Sequence, residues 1–326
     1  MILITGGAGY IGSHVNMILN EKGYETLVID NLSTGSKYLA KWGHFIKGDI
    51  GNTKLMDEIF LTYSIDCVMH FAASAYVGES MQNPKKYYIN NMKKSLDLLN
   101  SMIKNNVKKI IFSSTCATYG NPKINPIEES TPQLPINPYG RTKLIIEGLL
   151  KDYCIYGLDH IILRYFNAAG ASYKCKIGEI HDPEPHLIPR VINSIKNRDE
   201  ILIYGDDYDT PDGTAIRDYI HVSDIANAHV LCLEYLMETK KSNFFNLGNG
   251  NGYSVKEIIK TTEMILNKSA KIKIEPRRKG DPPKLVGSSN KIKKIIGWNP
   301  TYSNIKDILS SAIKWDEMKH LQITDF

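Results

Sequence analysis

The sequence predicts an α/β chain: a doubly wound parallel sheet with a smaller α/β domain interleaved behind it. Short apolar runs alternate with longer helical patterns through the first half, as in βαβ units. The runs are continuously apolar, as in Lys109-Ile110-Ile111-Phe112 and His160-Ile161-Ile162-Leu163. That suits a sheet covered by helices on both faces. After about residue 167 the rhythm breaks, first at Pro183, Pro185 and Pro189 and then over the polar stretch 205–213.

In chain order, strands are expected over 2–5, 25–29, 44–47, 67–71, 109–113 and 160–163. Helices are expected between them over 11–22, 54–63, 85–105 and 139–156. Further helices are expected over 224–237 and 255–266. Segments around 216–222 and 243–247 read as strands that rejoin the main sheet. The expected division is 1–167 for the first domain and 168–326 for the second.

The chain has 326 residues and a mass of 36.8 kDa, with 42% hydrophobic and 23% charged residues. Those fractions are ordinary for a globular protein. Forty Lys+Arg against 35 Asp+Glu leave a charge of +5, spread along the chain rather than gathered in one stripe. The cations are 33 Lys and seven Arg, and Lys is the poorer residue for bidentate base or phosphate recognition. Nucleic acid is therefore not an expected partner. No run of 18 apolar residues occurs, so no membrane helix is expected. The start, Met1-Ile2-Leu3-Ile4-Thr5-Gly6, lacks a basic leader, and a cytoplasmic location is expected. Cys67, Cys116, Cys154, Cys175 and Cys232 are odd in number and form no Cys-x-x-Cys pair. Neither a disulfide framework nor a zinc site is expected from them, and no metal-ligand spacing is expected elsewhere.

Residues 5–12 read Thr-Gly-Gly-Ala-Gly-Tyr-Ile-Gly. The glycines follow a strand and open a helix, the context that a dinucleotide-binding turn requires. Such glycines permit a tight turn and close backbone approach, and the helix N-terminus stabilises a pyrophosphate. Asp30 ends the second strand about 20 residues on, where an acid accepts from a ribose 2′-OH and repels a 2′-phosphate. This favours a Rossmann-type domain that binds NAD. Asp49 ends the third strand, as an adenine contact or a turn former.

Tyr139 and Lys143 are four apart on an expected helix and share a face. Asn137-Pro138 reads as its N-cap and first residue. The spacing alone is weak, because Tyr119/Lys123 and Tyr302/Lys306 share it. Only Tyr139/Lys143 starts a helix soon after a strand ending in Ser113-Ser114-Thr115, at the sheet edge where ligands bind. A free Tyr has a pKa near 10 and is a poor base at neutral pH. An adjacent ammonium and a nicotinamide cation favour its phenolate. It can then take a proton from a sugar hydroxyl as the carbon loses hydride, with Thr115 bridging the same hydroxyl.

At this point the sequence resembles the extended short-chain dehydrogenase/reductase family and, within it, the UDP-glucose (UDP-galactose) 4-epimerases. The resemblance runs to about residue 320. Its specific stretches include Asp30-Asn31-Leu32, His70-Phe71-Ala72-Ala73, Val77-Gly78-Glu79-Ser80, Pro138 to Lys143 and Pro276 to Asp281. It implies tightly held NAD⁺ and a 4-keto sugar that turns about its link to UDP, so that C4 is inverted. It places Gly6, Gly9, Tyr10, Ile11, Gly12, Asp30, Asn31, Asp49, Ile50, Phe71, Ala72, Ala73, Asn90, Ser113, Tyr139, Lys143 and Phe166 around NAD. It places Thr115, Tyr139, Asn167, His186, Leu187, Tyr204, Arg217, Arg278, Asp281 and Leu285 around the UDP-sugar. It also implies a homodimer that pairs the helices over 85–105 and 139–156.

There are departures from the family pattern. A Lys that some members carry after His70-Phe71 is replaced by Ser74-Ala75-Tyr76, and His186 stands where some have Asn. Leu285 occupies the position where a bulky Tyr disfavours N-acetylated sugars, which leaves UDP-N-acetylglucosamine and UDP-N-acetylgalactosamine open. The stretch 75–80 also resembles epimerases acting on UDP-xylose and UDP-arabinose. A nucleotide-sugar 4,6-dehydratase is the nearest rival, but it needs carboxylates after the catalytic hydroxyl, and here Cys116-Ala117-Thr118 follow. A silent binder would lack Tyr139 or Lys143. Cys116 is read as a packing residue and His221 as a structural hydrogen-bonder.

Overall fold

Seven parallel strands form the central sheet of the computed structural model, which describes residues 1–323 except Cys175 and Lys279, with the backbone alone from 320 onward. The strands are β1 Ile2–Thr5, β2 Thr26–Asp30, β3 His44–Lys47, β4 Cys67–His70, β5 Lys109–Thr115 and β6 Asp159–Tyr165; then β7 Asn167–Ala169, β8 Glu200–Tyr204, β9 Ile216–His221, β10 Asn243–Leu247, β11 Gly252–Ser254, β12 Lys271–Glu275 and β13 Lys284–Leu285. The helices are α1 Tyr10–Glu21, α2 Thr53–Thr62, α3 Val77–Gln82, α4 Pro84–Tyr87, α5 Lys94–Lys104 and α6 Pro138–Asp152; then α7 Leu187–Asn197, α8 Val222–Thr239, α9 Val255–Leu266, α10 Asn290–Ile296 and α11 Ile305–Ile323.

The sheet order is β10-β6-β5-β4-β1-β2-β3, and every pairing in it is parallel. Alternation along each strand feeds two cores. Ile2 and Ile4 of β1 meet Val15 and Leu19 of α1 and Val230 and Leu233 of α8 on one face. Leu3 meets Met56 and Ile59 of α2 and Leu98 and Met102 of α5 on the other. Each fully buried side chain of this kind contributes about 1.5–3 kcal/mol. This is the expected fold class, with helices on both faces of a doubly wound sheet.

The expected helix over 85–105 is interrupted. α4 and α5 flank a wider π turn at Tyr88–Lys93, a device frequent at functional sites. Leu99 and Ile103 pack into their own sheet's core.

β10 joins the main sheet at its edge, with Asn243 opposite Ile161. The segment around 216–222 does not, and that expectation is corrected. β9 pairs instead with β7, β11 and β13 in a separate sheet. The reason lies in Asp218, whose buried carboxylate accepts N–H groups of Asn249, Gly250 and Gly287. These bonds tie β9 to the loops after β10 and β13. A two-stranded sheet of β8 and β12, with α7, α9 and α11, completes this half.

Candidate active site

The strand order reverses between β1 and β4, so their carboxyl ends open a crevice. Gly6 leaves β1 at φ +71°, and a Cβ there would lie 2.6 Å from the Ala72 nitrogen. A Cβ on Gly12 would lie 2.5 Å from the Gly6 carbonyl oxygen. Gly9 precedes α1 and supplies no side-chain cap, which leaves first-turn N–H groups for an anion. Asp30 ends β2 with its carboxylate fixed by N–H groups of Ala8 at 3.0 Å and Leu32 at 2.8 Å. Burial raises its pKa. A cradle without room for side chains, with a carboxylate at the end of β2, fits a dinucleotide.

Other expected cofactor residues line the same edge or support it. Asn31 donates to Asp49 at 3.0 Å, and Lys94 pairs with Asp49 at 2.6 Å. Asp49 also accepts from the Gly51 N–H at 2.9 Å, so it forms a turn. Burial raises its pKa, but Lys94, Gly51 and Asn31 outweigh this and lower it. Ile50 is buried in the core, and Ile11 packs against the other face. Tyr10 turns its hydroxyl to the Gly170 carbonyl at 2.6 Å. Phe71 stacks near His229, with centroids 4.9 Å apart. Ala72 and Ala73 follow it, half-buried, and Asn90 in the π turn donates to Ser74 at 3.0 Å.

The expected catalytic residues lie on β5 and α6. Asn137 caps α6 by accepting from Gly140 N–H at 2.8 Å, and Pro138 is the first helical residue. Tyr139 therefore sits in the first turn, near enough to Thr115 for that hydroxyl to act on its titration. Burial pushes its pKa up to about 12, against the opposing pull of the Thr115 hydroxyl. Lys143 donates to the Ser113 carbonyl at 2.7 Å. Burial pulls its pKa down to about 7, against the charge of Glu147. The Thr115 oxygen also accepts from Ala117 N–H at 3.1 Å. Cys116 is buried and its thiol is pushed up to about 12, so a nucleophilic role has no support. Among the described residues Cys67, Cys154 and Cys232 are free too; Cys175 lies outside them.

Sequence reasoning missed the layer behind these groups. Glu147 lies one turn after Lys143, fully buried, and pairs with Arg164 at 2.7 Å. It also accepts from Ser114 at 2.5 Å and Gln133 at 3.0 Å. Arg164 continues to Tyr119, which donates to Asn246 at 2.7 Å. Tyr165 bonds His229 at 2.6 Å and meets Ser113 as well. A charged residue at the (i, i+4) position from Lys143 was the available signal for Glu147; nothing local signals Arg164.

The expected substrate residues lie in several local groups of the second half. Leu285 on β13 packs with Cys116, Tyr119, Ile127 and Phe166, beside Thr115. Asn167 opens β7 opposite Tyr219. Arg217 pairs with Asp281 and donates to the Ile216 carbonyl at 2.8 Å. Arg278 lies 3.8 Å over the Tyr204 ring. Its neighbour Arg277 is held by Asp207; Lys279 lies outside the described residues. His186 precedes α7 and contacts Glu179, and Leu187 begins the helix. Burial pulls His181 down, but the Glu179 and Glu184 carboxylates lift it to about 9.

The family model of the NAD dependent epimerase/dehydratase family matches residues 2–248. The chain is 49% identical over 317 residues to the UDP-glucose 4-epimerase of Halalkalibacterium halodurans, covering 96% of this chain and 95% of the relative. The crystal structure of UDP-glucose 4-epimerase from Brucella ovis in complex with NAD superposes with a TM-score of 0.93 at 47% identity, covering 96% and 97% of the two chains. The UDP-Glc/GlcNAc 4-epimerase of Campylobacter jejuni gives 0.84 at 42% identity, covering 97% and 99%. The glycine cradle, the Tyr139–Thr115–Lys143 cluster and these likenesses agree: the chain belongs to the NAD-dependent epimerase/dehydratase family and, within it, to the UDP-glucose 4-epimerases.

Proposed function

We propose that this chain interconverts UDP-glucose and UDP-galactose with Tyr139 as the proton-transferring group, Thr115 as its hydroxyl partner and Lys143 as the cation that tunes it. The observation that carries the assignment is the nearness of the Thr115 hydroxyl to Tyr139, on the helix that also carries the buried Lys143. The chemistry that bound NAD⁺ supplies is removal of hydride from C4′ and its return to the opposite face after the 4-keto sugar turns. Gly6, Gly9 and Gly12 would receive its pyrophosphate and Asp30 a ribose hydroxyl. Tyr139 takes the 4′-OH proton and later gives it back. With the chain alone, burial holds its phenol protonated; a cation at the crevice and the Lys143 ammonium shift it toward phenolate. Thr115 then donates to the phenolate or the 4′ oxygen.

Arg217 and Arg278 suit a diphosphate by their fork of donors, with Asp281 accepting from uridine ribose hydroxyls. Asn167, His186, Leu187 and Tyr204 are assigned to the same ligand on the family resemblance. Leu285, beside Cys116, supports acceptance of N-acetylated UDP-sugars as a second reading. Residues 1–167 would carry the cofactor and 168–326 the UDP-sugar. Exposed Ile89 and Ile145, on the π turn and α6, support the homodimer expected from the family. No described helix is long and apolar enough to cross a membrane, and a cytoplasmic site of action remains part of this reading.

The test is incubation of purified protein, without added NAD, with UDP-galactose, UDP-N-acetylgalactosamine and UDP-arabinose in separate tubes, followed by proton NMR. Conversion of UDP-galactose to its C4 epimer is expected, and the other tubes define the sugar range. No epimer in any tube after NAD is supplied would remove the assignment.

A further inference from the structure

One polar cluster lies outside the proton-transfer machinery. In the eight residues before α7, Glu179, His181, Glu184 and the more exposed His186 face one another, with one donor atom from each within 4.8 Å of all the others. The Nδ1 atoms of His181 and His186 both approach the same oxygen, Oε1 of Glu179. We propose that these four side chains form a structural site for a divalent cation of the zinc class.

Three features carry this. The first is spacing. Nδ1 of His181 lies 3.0 Å from Glu179 and 3.8 Å from Glu184, and His186 lies 3.6 Å from Glu184. Donors bound tetrahedrally at about 2.0–2.1 Å are about 3.3 Å apart, so these separations bracket a tetrahedron's edge. The second is direction. Buried Nδ1 of His181 has no hydrogen-bond partner despite its 3.0 Å approach to Glu179. Two atoms aimed at a common centre have that relation; a donor aimed at its acceptor does not. The third is donor type and charge. Two imidazoles and two carboxylates suit Zn²⁺, and two carboxylates neutralise a dication.

The surroundings hold the donors in place. The Glu179 carbonyl accepts from Trp315 Nε1 at 2.9 Å, and Glu184 accepts from His186 N–H at 2.9 Å. Pro183 and Pro185 fix φ between the ligands. The Tyr76 ring lies 5.9 Å from His181 and 6.2 Å from His186. The ion would thus clamp the loop leading to Leu187 beside the segment after β4, a structural role that leaves proton transfer to Tyr139.

The test uses the full chain with its bound nucleotide, stripped of metal by a chelator. Zn²⁺ alone is titrated against a chromophoric competitor. One equivalent per chain is expected, with affinity falling by more than about tenfold in His181→Ala and in Glu184→Gln. Near-ultraviolet circular dichroism checks that both variants are folded. Co²⁺ in the unsubstituted protein gives a readout independent of any variant, and the intense visible bands of a tetrahedral ion are expected. Failure of the folded wild-type chain to take up Zn²⁺ would overturn the proposal. So would uptake unchanged in both folded variants, or pale octahedral Co²⁺ spectra.

Discussion

The two sides of the crevice are built differently. On the cofactor side, Thr115, Tyr139 and Lys143 come from one strand and the helix that follows it. Lys143 is fixed by Ser113 and backed by the buried Glu147–Arg164 pair. On the substrate side, Asn167, Tyr204, Arg217, Arg278 and Leu285 come from short strands and loops. Their cations already have internal partners: Arg217 is paired with Asp281, and Arg278 lies over an aromatic ring. The first side is preassembled because each buried charge already has its partner. On the proposed reading, the second exchanges an internal partner for the diphosphate, so binding there would include a rearrangement. Proton transfer needs fixed geometry; a sugar that must turn over between two hydride transfers needs looser walls.

Substitutions can sharpen or break this contrast. The largest effect is expected for Tyr139→Phe, which should lower kcat by about 10²–10⁴-fold with NAD still bound. Near-normal turnover would remove Tyr139 as the acid–base. Glu147→Gln leaves the Arg164 guanidinium buried and unpaired, which should cost about 3–5 kcal/mol in urea unfolding. A loss as small as that of a surface pair would mean the rear layer does not support the site as described. Arg217→Lys keeps the charge but loses the fork, and KM for UDP-galactose should rise about tenfold with kcat little changed. A fall in kcat alone would assign Arg217 to the chemistry instead.

A pH-dependent effect belongs to Lys143. Its folded pKa is about 7 against 10.5 unfolded. Between those values the unfolded chain binds the extra proton, so this residue makes stability climb with pH across that window. Below about pH 7 its contribution is constant. Lys143→Met should flatten the climb in denaturation midpoints, and an unchanged slope would show that the ammonium is not buried in solution. The smallest change is Leu285→Tyr, which should lower kcat/KM for UDP-N-acetylgalactosamine by about tenfold relative to UDP-galactose. Equal loss for both sugars would take Leu285 out of the selectivity.

The resemblance to NAD-dependent UDP-sugar epimerases stands, and so does the fold class. The main sheet was legible because its strands are continuous apolar runs, and the glycine turn because only a crowded backbone requires those residues. β9 was misplaced because Asp218 gives no sign, within its own segment, of the three distant N–H groups that hold it. Glu179 and His181 escaped notice because a Glu-x-His-x-x-Glu-x-His run matches no common ligand spacing until the loop folds inward.

Sequence by itself determined the parts that are local in the chain: the cradle over 5–12, Asp30 at the end of its strand, the Asn137 cap and the Tyr139/Lys143 face. Each depends on backbone conformation or helical period, and both are set within a few residues. Tertiary structure alone decided the lowered Lys143 pKa, the Arg164 partner behind Glu147, the Arg217–Asp281 pair and the gathering of four donors before α7. Those depend on which charges share a low-dielectric space, and only packing decides that, whether it folds one loop on itself before α7 or joins residues 64 apart, as with Arg217 and Asp281.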